Sequence, residues 1–370
     1  MTYQSVDSLQ NVLAGTVFTR TKSPKKAAGR ALGTLVELIT FYLLRDWGLE
    51  DSVAIERGLP EFGNRSITHN VEFTLHPWKR LVSGTIPEDG TTLTPSFIRR
   101  RHPQLFDKAE EKSSRQLLKG KVIRHACIIA ERSDSFDMAY IEGNQYHINR
   151  LLNSPFAMFE CKRVGVEEGQ TKGPQTIEKA KQGSYVARTV SGLQRIPKSD
   201  GSVAAVIEES DGKITIHDDY YAYLFDAVRS GDRNLLSNIV LTVGVVSNHG
   251  NWFTAGTQNK EIRVLAQSYD WLLFLTDAAL SEFIETVLQG NDARFNAVRS
   301  AFTESYAYAG GQNTFTKVTT DRDADTQLTR YFANTKPWDR WFEVITPSAE
   351  ISQLECDLRE LKLMFGEEYL

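Results

Sequence analysis

Cysteine is scarce in this chain. Three of its 370 residues are cysteines, Cys127, Cys161 and Cys356, far apart and odd in number. No zinc-ligand spacing and no disulfide framework emerges, so a reducing, cytoplasmic setting is expected. An excess of positive charge is also missing: the net charge is −4. Whole-protein charge therefore does not draw this chain to nucleic acid, and any such activity must rest on local patches or on metal ions that offset acidic residues. The N-terminus is polar, no run is expected to span a bilayer, and neither repeats nor low-complexity tracts occur, so no membrane association is expected. What remains is 41% hydrophobic and 24% charged, the composition of a globular protein long enough for a sizeable core.

The chain is organised around Phe156 to Val164, FAMFECKRV. Side chains alternate faces along a strand, so Glu160 and Lys162 point one way, above Phe156 and Met158. Ala157, Phe159 and Cys161 point to the other face, expected to be core. A carboxylate and an amine then stand about 7 Å apart on a rigid element. Such a pair can hold a divalent metal through the acid, while the amine orients a water or steadies negative charge. Glu-x-Lys alone is a weak signal, expected about once by chance at this length. Glu110 and Lys112 match it too, in a polar run better read as a solvated helix, and an exposed FECKRV would be only a surface ion pair.

In chain order, KKAAGRALGTLVELITFYLLRDWGL has apolar residues at helical spacing with Glu37 beside the stripe. That glutamate either snorkels at the edge of the stripe or faces a cleft and helps bind metal. Residues 49–95 read as strands and loops. Arg99 to Arg124 holds nine positive and three negative residues, either a solvated face or a phosphate-facing surface. VIRHACIIAER and DMAYIEG form a hairpin, with Asp137 opening the second strand and INRLLNSP a polar connection onward. TIEKAKQGSYVARTVSGLQRI is a helix. VAAVIEESDGKITI is a hairpin around Asp211-Gly212, and YYAYLFDAVRSGDRN is helical. NIVLTVGVVS reads as a strand buried on both faces, and DWLLFLTD as another. Residues 291–370 read as helix and loop. The expected fold is α/β, a mixed sheet of about five strands covered by helices on both faces. The core spans residues 1–290, with inserted recognition segments at 49–120 and a helical extension over 291–370.

GTLVELITFYLL, DMAYIEG, FECKRVG and KAKQGSYVARTV follow one another in an order that resembles the PD-(D/E)XK nuclease superfamily, and within it the restriction endonucleases. That pattern is a helix bearing a glutamate, a strand carrying an acid, a strand ending Glu-x-Lys, then a helix with a polar face, here Gln182 and Tyr185. The resemblance covers about residues 30–195. Phe136, rather than proline, precedes Asp137. Asp134 would lie in the turn and Glu142 should face away, so Asp137 is the acid the resemblance selects.

The resemblance implies Mg²⁺-dependent, sequence-specific hydrolysis of double-stranded DNA. Asp137, Glu160 and the Cys161 carbonyl would hold the ion. Lys162 would position water or neutralise the transition state, with Glu37 and Gln182 completing the site. Cys161 as a nucleophile is disfavoured, because alternation buries it. Arg99, Arg100, Arg101, Lys119, Lys121 and Lys172 are the expected DNA contacts. Base-reading residues belong to 49–120 or 290–340. A restriction enzyme implies a homodimer on a two-fold site and a DNA methyltransferase in the same system. The alternatives are a structure-specific repair, recombination or phage-defence nuclease, an inactive DNA-binding protein on a nuclease-like scaffold, and an unrelated α/β enzyme in which FECKRV is only a surface strand.

Overall fold

The structure is a computed structural model and describes residues 6–19, 23–63, 70–87, 92–112, 115–166, 185–208, 212–250, 260–307, 313–334 and 337–366. Its strands, numbered in chain order, make four sheets. The central one has six strands: Val53–Arg57 (β1), Val71–Leu75 (β2), Ala157–Val166 (β10), Leu241–Gly250 (β14), Trp271–Leu275 (β15) and Phe342–Thr346 (β17), in that spatial order. β1, β2 and β10 run antiparallel, β10, β14 and β15 run parallel, and β17 closes the edge antiparallel to β15. The fold is therefore α/β with a mixed sheet flanked by helices. The sheet has six strands rather than about five, because β17 comes from the segment expected to be only helix and loop.

A second sheet is inserted between β2 and β10. It holds Trp78–Thr85 (β3), Gln145–Leu152 (β9), Ser135–Glu142 (β8), Cys127–Glu131 (β7) and Glu110–Glu111 (β4), in that spatial order. The expected hairpin is present as β7 and β8, but the polar connection INRLLNSP is largely β9. Glu110 and Glu111, just before Lys112, lie on a short strand rather than on the solvated helix expected there. Thr319–Asp321 (β16), Val122–Arg124 (β6) and Leu118–Lys119 (β5) form a third sheet. Gln194–Pro197 (β11), Val203–Glu208 (β12) and Ile214–His217 (β13) form a fourth.

Helix Pro24–Asp46 (α2, following α1 at Val6–Thr16) packs its apolar stripe on one face of the central sheet. Helix Lys260–Ala266 covers the other face through Ile262 and Leu265. Burial drives this arrangement: Leu241, Val243 and Val245 of β14 join the α2-side core, while Val240 and Val246 join the opposite cluster. A strand between two apolar layers has no polar face, as its composition predicted. Gly244 is needed at mid-strand, since a Cβ there would lie 2.7 Å from the Tyr269 ring. That ring therefore lies close against the sheet.

One expectation about membranes is corrected. By length and composition α2 could cross a bilayer, yet 72% of its apolar window is buried inside the protein, as in a core helix. Its C-terminal end is locked by a buried polar cluster. Tyr42 donates a hydrogen bond to Asp325 (2.8 Å), Arg45 bridges Asp325 (2.6 Å) and Glu50 (3.1 Å), and His125 lies 3.8 Å from Asp325. Burial tends to raise the Asp325 carboxyl, but Arg45, His125 and the hydrogen bonds from Tyr42 and Arg45 outweigh it and hold it below its ordinary range.

Burial lowers the His125 imidazole to about 4 from its ordinary 6.5. Arg45 adds to this, and Asp325 opposes it. A depressed histidine favours the fold above pH 6.5 and loses that contribution as pH falls towards 4. Relative to wild type, His125→Asn should therefore lose roughly 2–3 kcal/mol less stability between pH 7.5 and 4.5. Urea titrations at the two pH values measure this.

Candidate functional site

Strand β10 places its residues as alternation requires. Ala157, Phe159 and Cys161 enter the core under α2, while Met158 and Val164 join the opposite cluster. Glu160 is 1% exposed, and Lys162 Nζ lies 2.9 Å from its Oε1. Glu160 pairs in register with Gly244, the residue on which Tyr269 packs. The β2–β10 ladder ends at Phe159 and Phe73. One residue further, the main-chain N–H of Glu72 donates to Glu160 Oε2 at 3.2 Å. A side chain thus continues the pairing where the ladder stops, and Glu72 is brought against the Glu-x-Lys strand.

Glu72, not Asp137, is the acid beside Glu160. Asp137 lies on β8 of the inserted sheet, at 0% exposure. Its neighbours Phe136, Met138 and Tyr140 face the main core, whereas Ala139 and Ile141 face a separate cluster. Asp137 shares the latter face by alternation. There Arg150 Nε (2.9 Å) and Arg132 Nη1 (2.8 Å) bracket its carboxylate. Two guanidiniums on one buried acid make a structural ion cluster. The expected convergence of Asp137 and Glu160 across neighbouring strands does not occur.

Glu37 faces a cleft. Phe41, one turn along α2, stacks on Phe73 of β2 with centroids 6.3 Å apart. That contact brings Glu37 to the level of Glu72. Lys317 Nζ lies 3.0 Å from Glu37 Oε2 and 3.3 Å from Glu56 Oε1, and it also contacts Glu72 Oε2. Glu56 reaches this point from a left-handed backbone, φ 51°, a conformation that costs a non-glycine residue on the order of 1 kcal/mol.

Lys317 sits in a tight turn of its own. The Thr316 hydroxyl accepts from the N–H groups of Val318 (3.2 Å) and Thr319 (3.0 Å), and the Val318 carbonyl accepts from His125 N–H (2.9 Å). Three acids from α2, β1 and β2 thus surround one ammonium that is 3% exposed. Neither Glu56, Glu72 nor Lys317 had a sequence motif to mark it. The acidic residue in NVEFTL, a short strand between the Glu37 helix and FECKRV, was the only available signal.

Cys161 is buried, at 6% exposure. Burial raises its thiol well above the ordinary range, with Glu37 and Glu160 adding to the effect and the Thr40 hydrogen bond opposing it. Its Sγ lies 3.5 Å from Thr40 Oγ1 of α2. The thiol is thus held between the helix and the strand that carry those two glutamates.

A cleft of about 1200 Å³ opens beside Glu37, Glu56 and Lys317. Its far wall is the β5–β6 hairpin, with Lys119, Lys121 and Arg124 among the lining residues. Lys119 pairs with Val122 across a two-residue turn, Gly120-Lys121, and Gly120 takes φ 58°. Glycine accepts that backbone freely, so the hairpin tip carries both lysines. Lys119 and Lys121 line the same cleft as Glu37. Arg99, Arg100 and Arg101 lie elsewhere, exposed at the end of helix Pro95–Arg101, and Arg99 pairs with Glu111 at 3.1 Å. Gln182 and Lys172 lie outside the described residues. Residues 185–190 are helical, with Tyr185 45% exposed.

Carboxylate oxygens are the donors that a magnesium ion takes. Glu72 Oε2 is buried without a hydrogen-bond partner of regular geometry, its contact being the Lys317 ammonium. Among the described residues no three acid, imidazole or thiol side chains already surround a common point as a metal cage. The place where three acids meet holds the Lys317 ammonium instead. Compared with known protein families, curated proteins and solved structures, the chain matches none of them.

Proposed function

We propose that this chain is a Mg²⁺-dependent, sequence-specific endonuclease of double-stranded DNA, of the restriction type. One observation carries the reading. A glutamate on a helix (Glu37), an acid on the second sheet strand after it (Glu72, on β2) and Glu160-x-Lys162 on the strand paired with β2 occur in the order of the PD-(D/E)XK pattern, beside a cleft that Lys119, Lys121 and Arg124 help to line. The 77 to 156 stretch is then an insertion between the two acid-bearing strands, and Asp137 belongs to it. In this reading Glu72, Glu160 and the Cys161 carbonyl hold the ion. When bound, it supplies an activated water and stabilises charge on the phosphate.

The chain's own groups do the rest. Lys162, held on Glu160 and partly open to solvent (27% exposed side chain), donates to the attacking water or to the charged phosphate oxygens. Glu37 adds an acceptor at the cleft edge. Lys119, Lys121 and Arg124 neutralise backbone phosphates, and their charge explains how an acidic protein can attract DNA at one surface. A two-fold recognition site would call for a second copy of the chain.

Purified protein incubated with plasmid DNA and Mg²⁺, with EDTA as control, tests this reading. Discrete, EDTA-sensitive fragments are expected. A smear would indicate a non-specific nuclease, and no cutting would refute the assignment. The phosphate wall makes a separate prediction: Lys119→Ala and Lys121→Ala should each weaken binding to mixed-sequence duplex and reduce the slope of log affinity against log salt by about one. Fluorescence anisotropy across a salt series reads both.

A further inference from the structure

Six large hydrophobic side chains stand exposed among the described residues, and three of them, Ile196, Ile214 and Ile216, belong to the small sheet of β11, β12 and β13. The register puts all three on one face. Ile196 opposes Ala204, Ile216 opposes Val206 and Ile214 opposes Glu208, and these β12 positions are two apart. Ala205 and Ile207, on the other side of β12, enter the main core. That inward face fixes the sheet, so the isoleucines cannot turn in. Ile214 and Ile216, at 65% and 68% exposure, both lie on β13, which has a strand on one side only.

The two edges of this sheet differ. β11 ends in Pro197, which has no N–H to donate, and Lys198 follows it. Proline and lysine are what keep an edge from pairing. β13, with the sequence ITIH, contains neither. Lys213 precedes it and Asp218 and Asp219 follow it, all three exposed. A strand that is positive before its start and negative after its end complements a second copy only when the two run antiparallel. Parallel pairing would set like charges side by side.

We propose that β13 is a homotypic interface. Two copies of the chain pair β13 with β13, antiparallel, about a two-fold axis beside Thr215, and two three-stranded sheets become one of six strands. In that register Ile214 stands opposite Ile216 of the second copy, and the reciprocal pair forms across the axis. Cross-strand neighbours of this kind cover one another. Each Lys213 reaches the aspartates that end the other copy's strand. The edge N–H and C=O groups gain partners. The contact uses the same patch on both copies, so it closes at two. It does not depend on the nuclease reading, but it gives that reading the second copy which a two-fold site calls for.

Sedimentation equilibrium of the full chain without DNA tests the interface. A four-residue strand pair is a small contact, so wild type should show a monomer–dimer equilibrium with a dissociation constant on the order of 10 µM. Ile214→Asp and Ile216→Asp should each weaken it at least tenfold with an unchanged circular dichroism spectrum. Ile216→Thr replaces the aspartate variant if that protein does not fold. Lys213→Glu should weaken the dimer several-fold at low salt and less at high salt. A wild type that stays monomeric at about 200 µM, twenty times the expected constant, would overturn the proposal. So would a dimer indifferent to all of these substitutions, or assembly beyond two copies. Plasmid cleavage by a monomeric wild type defeats the interface alone. A dimer that the substitutions dissolve, in a protein that never cuts DNA, defeats the nuclease assignment alone.

Discussion

Glu72→Gln is expected to lower the rate of plasmid cleavage by about a thousandfold, while Asp137→Asn leaves it within a few-fold of wild type at temperatures where the variant is folded. The first effect follows from removing one charged oxygen donor in a largely buried site, where each such group contributes two to three orders of magnitude. Glu72 is 15% exposed on its side chain and lies against the strand that carries Glu160 and Lys162. Asp137 has no route to that chemistry. Its carboxylate is spent on Arg132 and Arg150 in another sheet, so its loss should appear as reduced stability. The two variants change the same functional group by the same isosteric step, which makes the comparison internal. A collapse of activity in Asp137→Asn with Glu72→Gln still active would reverse the assignment of the strand acid.

The second large effect concerns stability. Asp325→Ala is expected to destabilise the protein by about 3–5 kcal/mol, measured by urea denaturation, because it leaves a buried guanidinium with part of its charge uncompensated. Arg45 would keep only Glu50, and the Tyr42 hydroxyl would lose its acceptor. The consequence reaches the site. Helix Arg322–Ala333, which carries Asp325, begins directly after β16, and β16 follows the turn that presents Lys317. Loosening this helix from α2 should therefore loosen Lys317 from Glu37, with a loss of cleavage at temperatures below global unfolding. A variant with near wild-type stability would show that the remaining Arg45–Glu50 pair suffices.

Local pattern alone carried much of this protein. The alternation in FAMFECKRV put Glu160 and Lys162 together and buried Cys161. The spacing of α2 marked a core helix with a glutamate on its flank. The β-branched run at 238–247 announced a strand buried on both sides. Each of these depends on the period of one element and on which of its sides avoids water, and such information is complete within ten to twenty residues. The basic character of the Lys119–Lys121 hairpin was legible for the same reason.

Pairing between distant strands was settled only in three dimensions. Asp137 and Glu160 lie 23 positions apart in the chain, yet β8 pairs with β7 and β9, and β10 reaches back past the whole inserted sheet to β2. No local period records that choice, because it depends on which apolar faces find one another: Phe73 beneath Phe41, and Phe159 opposite Phe73. The same holds for Lys317, whose partners lie some 245 to 280 positions earlier in the chain. Its charge could be read from the sequence, but its burial among three acids follows from long-range packing, which brings a C-terminal turn onto an N-terminal helix.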